Sequence, residues 1–433
     1  MMAYDISSYK ASSKLSIYNS KSPHSSDYFK IKIEETIDSL LDENNGQLDK
    51  TVDDLLRNLG NKKENYDIII AIFTRIQHQP RLISDEWICC ILNIFTQHWE
   101  SNITQLIICS FDLLTSLCQI KNAISIMHCL QFFQKCSTLL RKSISDSSII
   151  LAITRFFENV NDYDIETNIR EEILDIIMPI MDIEEDQLRF HLFSILYKVN
   201  LSGYDFCPNQ ISPDYLYSLS KESFCSHKTL IRMIEFINLF STRNVGYFCY
   251  LVTFELLKEL YKRLKDFPAR SAFYSLIYNI IRIHYRSQEA QFYTYYEILN
   301  PILLHQNINP ILCDSISDLN GGDYTLQSAI IKFYSHLLLF PEYFFNFIFQ
   351  ENIIYQLSEY LKDDADCREN NACIDVMFII QKICKYANTH DLSSYSQEIM
   401  NSITEMAKII HDTSNGSYIE REDIETFLQR ISQ

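Results

Sequence analysis

Leu357–Ile383 reads LSEYLKDDADCRENNACIDVMFIIQKI. Leu357 and Leu361 stand one helical turn apart, and Ala372 and Ile383 belong to a second apolar-faced run. The polar stretch between them, with Asp363, Asp364 and Asp366, has the makeup of an interhelical turn. Asn309–Leu338, NPILCDSISDLNGGDYTLQSAIIKFYSHLL, has the same plan. There Gly321-Gly322-Asp323 reads as a helix stop followed by a new N-cap.

The same periodicity runs outward in both directions. Ile68, Ile69, Ile72, Phe73 and Ile76 follow the i, i+3/i+4, i+7 rule, as do Leu106, Ile107, Phe111, Leu114 and Leu117. Ile424, Phe427, Leu428 and Ile431 form an apolar face, with Glu420, Arg421, Glu422, Glu425, Gln429 and Arg430 outside it. Isoleucine is frequent and favours strands by propensity, but period and segment length outweigh that weak preference. Ser84 before Asp85 and Glu86 reads as an N-cap, Ser394-Tyr-Ser-Gln397 as a capping box, and Gly60 as a helix end.

A small or compact residue recurs within these runs. Ala71, Cys109, Ala152, Ser194, Ala272, Ala329, Ala372 and Ala407 are separated by steps of 38, 43, 42, 78, 57, 43 and 35 residues. The step of 78 is two steps of 39 with Met233 at the midpoint, and the step of 57 implies an insertion within 273–328. A unit of about forty residues holds two or three helices and buries its apolar face only against its neighbours. A small residue at one position per unit lets successive backbones approach closely.

The two quoted units resemble armadillo repeats. Over roughly residues 60–410 the chain is similar to the armadillo/HEAT group, whose repeats are apolar and degenerate. The resemblance implies an all-α, right-handed α-α superhelix of about eight to nine repeats over 26–433, with 1–25 a flexible Ser/Lys-rich tail. Armadillo proteins of the importin-α type hold basic peptides on a Trp-x-x-x-Asn ladder. Here Trp87 is followed at +4 by Ile91 and Trp99 by Ile103, so that site does not transfer.

Composition sets the function classes. The 433 residues carry 38 Lys+Arg against 56 Asp+Glu, a net charge of −18, which disfavours a general nucleic-acid binder and docking on anionic lipid. Apolar residues make up 47 %, enough for a large core, while Gly is 7 and Pro 9, which disfavours turn-rich β folds and glycine-built phosphate loops. The sequence contains no P-loop, nucleophile elbow, Cys-x-x-Cys pair or His-Glu-x-x-His helix. The expectation is a chain that is not an enzyme and carries no cofactor or metal. Thirteen cysteines, several in apolar helical patterns (Cys89, Cys90, Cys109, Cys249, Cys384), and a start without a secretory h-region predict an intracellular, cytoplasmic protein with reduced thiols, with nuclear access open to it. Leu337–Phe349 is interrupted by Pro341, Glu342 and Asn346, so no transmembrane segment is expected.

Three clusters invite chemical readings. His128, Cys129 and Cys136 put two thiols at i, i+7 on one predicted face, although buried helical thiols are ordinary. Asp363-Asp364-Ala365-Asp366 invites comparison with the aspartate-rich run of helical diphosphate-processing enzymes, but Cys367 stands where a carboxylate is needed. Tyr293, Tyr295 and Tyr296 are too close to share one face, so one at least is expected on the surface.

Charge is segregated as well. Eleven acids lie between Glu158 and Asp186, with Arg170 the one base. Among them Glu158, Asp162, Asp164, Glu166, Glu171, Glu172 and Asp175 are candidates for docking a basic partner segment. Seven bases lie between Lys258 and Arg286, and Lys258, Lys262, Arg263, Lys265, Arg282 and Arg286 are candidates for a patch of opposite sign. Either run also reads as a solvated helix face. The sequence therefore predicts a non-catalytic protein-binding scaffold or adaptor. The alternatives are a regulatory or targeting subunit of a larger enzyme or transport complex and, more remotely, a helical diphosphate enzyme.

Overall fold

The structure, a computed structural model, describes residues 103–433 apart from 121, 144, 164, 202–210, 288–307, 340, 364–370, 392–394, 414–420 and 432–433, together with seven residues between Ile88 and Trp99. The readings at 1–25, Gly60, Ala71, Ser84, Asp164, Tyr293, Tyr295, Tyr296, Asp364, Asp366 and Ser394 lie outside the described residues. Among the described residues the regular structure is helical throughout, with 18 α-helices and no strand. The chain divides into two compact units, Met1–Tyr204 and Asp205–Gln433.

In the first unit the helices are α1 (Thr104–Leu117), α2 (Ala123–Cys129), α3 (Phe132–Lys142), α4 (Ser147–Val160), α5 (Thr167–Ile177) and α6 (Asp186–Leu201). α1, α4 and α6 pack side by side in that order; α3 and α5 lie against each other and cover α4 and α6. Aromatic rings fill the space between. Phe111 lies 5.3 Å from Trp99 and 5.7 Å from Phe156, and Phe133 meets Phe157 at 6.0 Å. Asp146 ties two helix starts together. Its Oδ1 accepts from the backbone N–H groups of Ser148 (3.2 Å) and Ile149 (3.4 Å), capping α4, and its Oδ2 accepts from the Thr104 hydroxyl at 2.8 Å.

Gln131, at φ 53°, is left-handed and turns the chain between α2 and α3. It corrects the expected i, i+7 face. Exposed Cys129 ends one helix, buried Cys136 lies inside the next, and no metal-holding group of three His, Cys, Asp or Glu side chains occurs among the described residues.

The second unit contains α7 (Pro213–Lys221), α8 (His227–Arg243), α9 (Val245–Leu251), α10 (Phe254–Arg263), α11 (Phe267–Ser287), α12 (Ile308–Gly321), α13 (Tyr324–Leu337), α14 (Pro341–Ile348), α15 (Glu351–Asp363), α16 (Asn371–Thr389), α17 (Gln397–Thr413) and α18 (Arg421–Ile431). One layer runs α8, α11, α13, α16, α18, each helix packed on the next; the other pairs α7 with α10 and runs α12, α15, α17. The short helices α9 and α14 precede the pairs α10–α11 and α15–α16. Helix starts carry hydroxyl or carboxylate caps. Ser212 accepts from Tyr215 N–H at 3.1 Å with Pro213 in the first turn, Thr253 accepts from Leu256 N–H at 3.3 Å, and Asp323 accepts from Leu326 N–H at 2.9 Å. Before α17 the cap is Ser396, accepting from Ile399 N–H at 3.3 Å, two residues beyond the expected Ser394.

The small-residue recurrence marks one layer in each unit. Cys109, Ala152 and Ser194 lie on α1, α4 and α6; Met233, Ala272, Ala329 and Ala372 lie on α8, α11, α13 and α16. Ala152, Ser194, Met233, Ala329 and Ala372 are buried, and in α1 the fully buried small residue is Ser110 rather than half-buried Cys109. Ala407 departs from the pattern. It is buried on α17, in the layer of α15, and its short step of 35 residues is the trace of that change of layer.

The Gly321–Asp323 stop needs its second glycine for space, since a Cβ on Gly322 would stand 2.4 Å from the Asp318 carbonyl oxygen. We expect Gly322→Ala and Ala372→Leu each to cost about 1–3 kcal/mol by overpacking, read as a lowered Tm with helix content retained. Wild-type Tm in both would refute the close packing at these positions.

Candidate functional site

The acidic stretch is divided by the fold. Glu158 and Asp162 lie at the end of α4 facing α6, whereas Glu171, Glu172 and Asp175 lie on α5 in the other layer, with Glu166 exposed at its N-cap. Their partners come from outside the stretch. Lys198 on α6 reaches Glu158 at 3.3 Å and Asp162 at 2.7 Å; His191 on α6 bonds to Glu158 through Nδ1. Arg155 Nε donates to His191 Nε2 at 3.3 Å, and Glu172 lies 3.6 Å from His128 Nε2. Burial opposes ionisation of Glu158, but the His191 hydrogen bond and the Lys198 charge outweigh it and hold the carboxyl below its ordinary range. Glu158 is thus engaged within the first unit.

The basic run is engaged still further. Arg263 donates through Nη1 to the carbonyls of Ser220 (2.7 Å) and Glu222 (2.8 Å) and through Nη2 to Cys225, closing the C-terminal end of α7. Lys262 pairs with Glu259 at 3.1 Å, and Lys265 stands 4.9 Å over the Tyr261 ring. Arg270 bridges Asp314 (2.8 Å) and Asp318 (2.5 Å), while Tyr261 donates to Asp314 at 2.7 Å and Tyr274 to Asp318 at 3.0 Å. This network binds α10 and α11 to α12. Burial pushes the Asp318 carboxyl up against the pull of Arg270. Lys258 and Arg286 remain exposed.

A third arrangement gathers side chains from four neighbouring helices of the second unit. Asn279 on α11 donates to Asn238 on α8 at 3.1 Å, and Arg282 Nη2 donates to the Ser241 hydroxyl at 3.0 Å. Across the α11–α13 contact, Lys332 Nζ stands 4.7 Å over the Tyr278 ring, and the His336 ring centroid lies 5.1 Å from that of Tyr278. On the far side Ser335 donates to Asp375 of α16 at 3.3 Å. His336 Nδ1–H donates to the Lys332 carbonyl at 2.8 Å. Burial first, then the charges of Arg282, Lys332 and Arg286, push the His336 imidazole down to about 4, so it is neutral at pH 7.

Of this third arrangement the sequence indicated only Arg282 and Arg286. Lys332, His336 and Asp375 were missed, since they lie on α13 and α16, one and two helices along the layer from α11, which carries Tyr278, Arg282 and Arg286. The one local signal was Lys332 and His336, ionisable residues four apart in the largely apolar run IIKFYSHLL.

Two titrations test these groups. Glu158 has a depressed native carboxyl pKa, so its stabilisation is present above the unfolded value and is lost as pH falls through the native one. Glu158→Gln is expected to cost about 1–3 kcal/mol at pH 7, with the deficit closing in acid. His336 has a native value below 6.5, so the unfolded chain takes up its proton first and stability falls as pH drops from 6.5 towards 4. His336→Gln should flatten that limb by at most ~3 kcal/mol in denaturant melts across the range, and an unchanged slope would contradict the buried neutral ring.

No known protein family matches this sequence, and no curated protein matches it. Among solved structures the chain is similar to a crystal structure described as an engineered protein from a structural-genomics consortium. That similarity covers 96 % of this chain and 97 % of the other at a TM-score of 0.59 and 11 % identity. At that identity the likeness is one of fold alone, and the chain is all-α.

Proposed function

We propose that this chain is a non-catalytic protein-binding scaffold or adaptor, an armadillo/HEAT-like right-handed α-solenoid working in the cytoplasm. In this reading the outer edges of its stacked helices receive a segment of a partner protein. The observation that carries it is the continuity of polar side chains from helix to helix. Asn238 to Asn279, Ser241 to Arg282, Tyr278 to Lys332 and Ser335 to Asp375 link α8, α11, α13 and α16 in turn. Ser241, Asn279 and Ser335 are buried within these links, and half-buried Asn238, Tyr278, Arg282, Lys332 and Asp375 beside them form an elongated polar row suited to a long peptide segment. The free thiols, several of them buried, suit a reducing compartment. No helix among the described residues is long and apolar enough to cross a membrane.

Cross-linking with mass spectrometry on the full chain, purified gently from its native cell, tests this reading. The expected result is a defined protein partner whose cross-links fall on Lys332, Lys382 and Lys385 of α13 and α16. A chain that elutes alone at its own 51.1 kDa, with cross-links only within itself, would overturn it.

A further inference from the structure

Resting on the scaffold reading, we propose that Arg282, Arg286 and Lys332 form a binding site for a phosphomonoester dianion, carried on a phosphorylated serine or threonine of the partner protein. Tyr278, Arg282 and Arg286 follow one another at one-turn intervals along α11, and across the α11–α13 contact Lys332 lies 4.7 Å over the Tyr278 ring, whose centroid is 5.1 Å from that of His336; all three cations act on His336. None of them has a carboxylate within ion-pair distance among the described residues, in contrast to Arg270, Lys198 and Lys262 of the same chain. Arg282 is fixed by its Nη2 bond to Ser241, and Lys332 is held over the Tyr278 ring instead of on an acid. Asp375, the carboxylate that acts on Lys332, already accepts from Ser335. Three cations against one carboxylate leave a net double positive charge, which matches the roughly −1.5 to −2 of a phosphomonoester at pH 7. Arginine forks favour phosphate oxygens over a single carboxylate charge. His336, neutral and already donating through Nδ1, adds no repulsion towards a dianion and contributes a polar wall.

The test uses the full chain and three probes: a degenerate peptide pool with a fixed phosphoserine, the same pool unphosphorylated, and inorganic phosphate. The phosphorylated pool is expected to bind at least about tenfold more tightly than the unphosphorylated one, the worth of one charge-assisted hydrogen bond or more. Inorganic phosphate is expected to compete. Arg286→Gln with Lys332→Gln should abolish the preference while the melting curve shows a folded protein. Lys258→Gln with Lys262→Gln removes the same charge from exposed positions on α10 and should preserve it. If Lys332→Gln unfolds the protein, Arg286→Gln alone, at an exposed position, still has to weaken the phosphorylated pool. Equal binding of the two pools, or equal loss in both double variants, overturns the site. Binding of inorganic phosphate without the phosphorylated pool overturns its assignment to a partner protein. A partner that cross-links to α13 and α16 without any phosphate dependence sinks this site and leaves the scaffold reading standing.

Discussion

Within each unit the long helices of the main layer pack in sequence order, each burying apolar residues against the next of its row, about forty to sixty residues later. α11 illustrates the constraint. It is 21 residues long, and Tyr274, Ile277 and Ile281 are buried between α8 on one side and α13 on the other. Neither neighbour is adjacent to it in sequence, so no helical pair is complete alone, and stability accrues by addition along the row. The helices between, α10 and α12, close the second layer and bring the Arg270 network with them. Polar groups at the outer margin follow from the same geometry: once apolar stripes fix the spacing, the residues one step round each helix must face one another.

Apolar periodicity made the helices legible in the sequence, and the recurring small residue made the layer legible. Ala152, Ala329 and Ala372 mark packed positions because close approach of two backbones excludes a larger side chain, and that constraint recurs once per unit. Ala407 satisfies the same constraint in the other layer, and a one-dimensional spacing cannot distinguish the two. Charge was less legible for a different reason. A run such as Glu158–Asp186 shows its own acids, whereas Lys198 and His191, which bind them, come from the following helix. Run-based charge counting misreads any fold whose partners lie one repeat away.

The contrast between the two charged regions has a physical basis. Glu158 and Arg270 are partly or largely buried and are compensated by opposite charge, as burial demands. Exposed Arg286 is stabilised by water and half-buried Lys332 by the Tyr278 ring, without a counter-charge, whereas burial disfavours the charge of half-buried Arg282, which is held by the Ser241 hydroxyl. A ligand anion supplies the missing charge at least desolvation cost on the Arg286 side.

Two arginines close helix ends across the stack: Arg263 on the carbonyls after α7, and Arg430 of α18 on the Ala387 and His390 carbonyls at the end of α16. A helix end closed by its own cap frays by itself. One closed by a guanidinium from a later helix opens only when that helix lifts away. Amide exchange at the tail of α16 is therefore slaved to the docking of α18, and α18 acts as a latch whose release unwinds a turn it does not belong to.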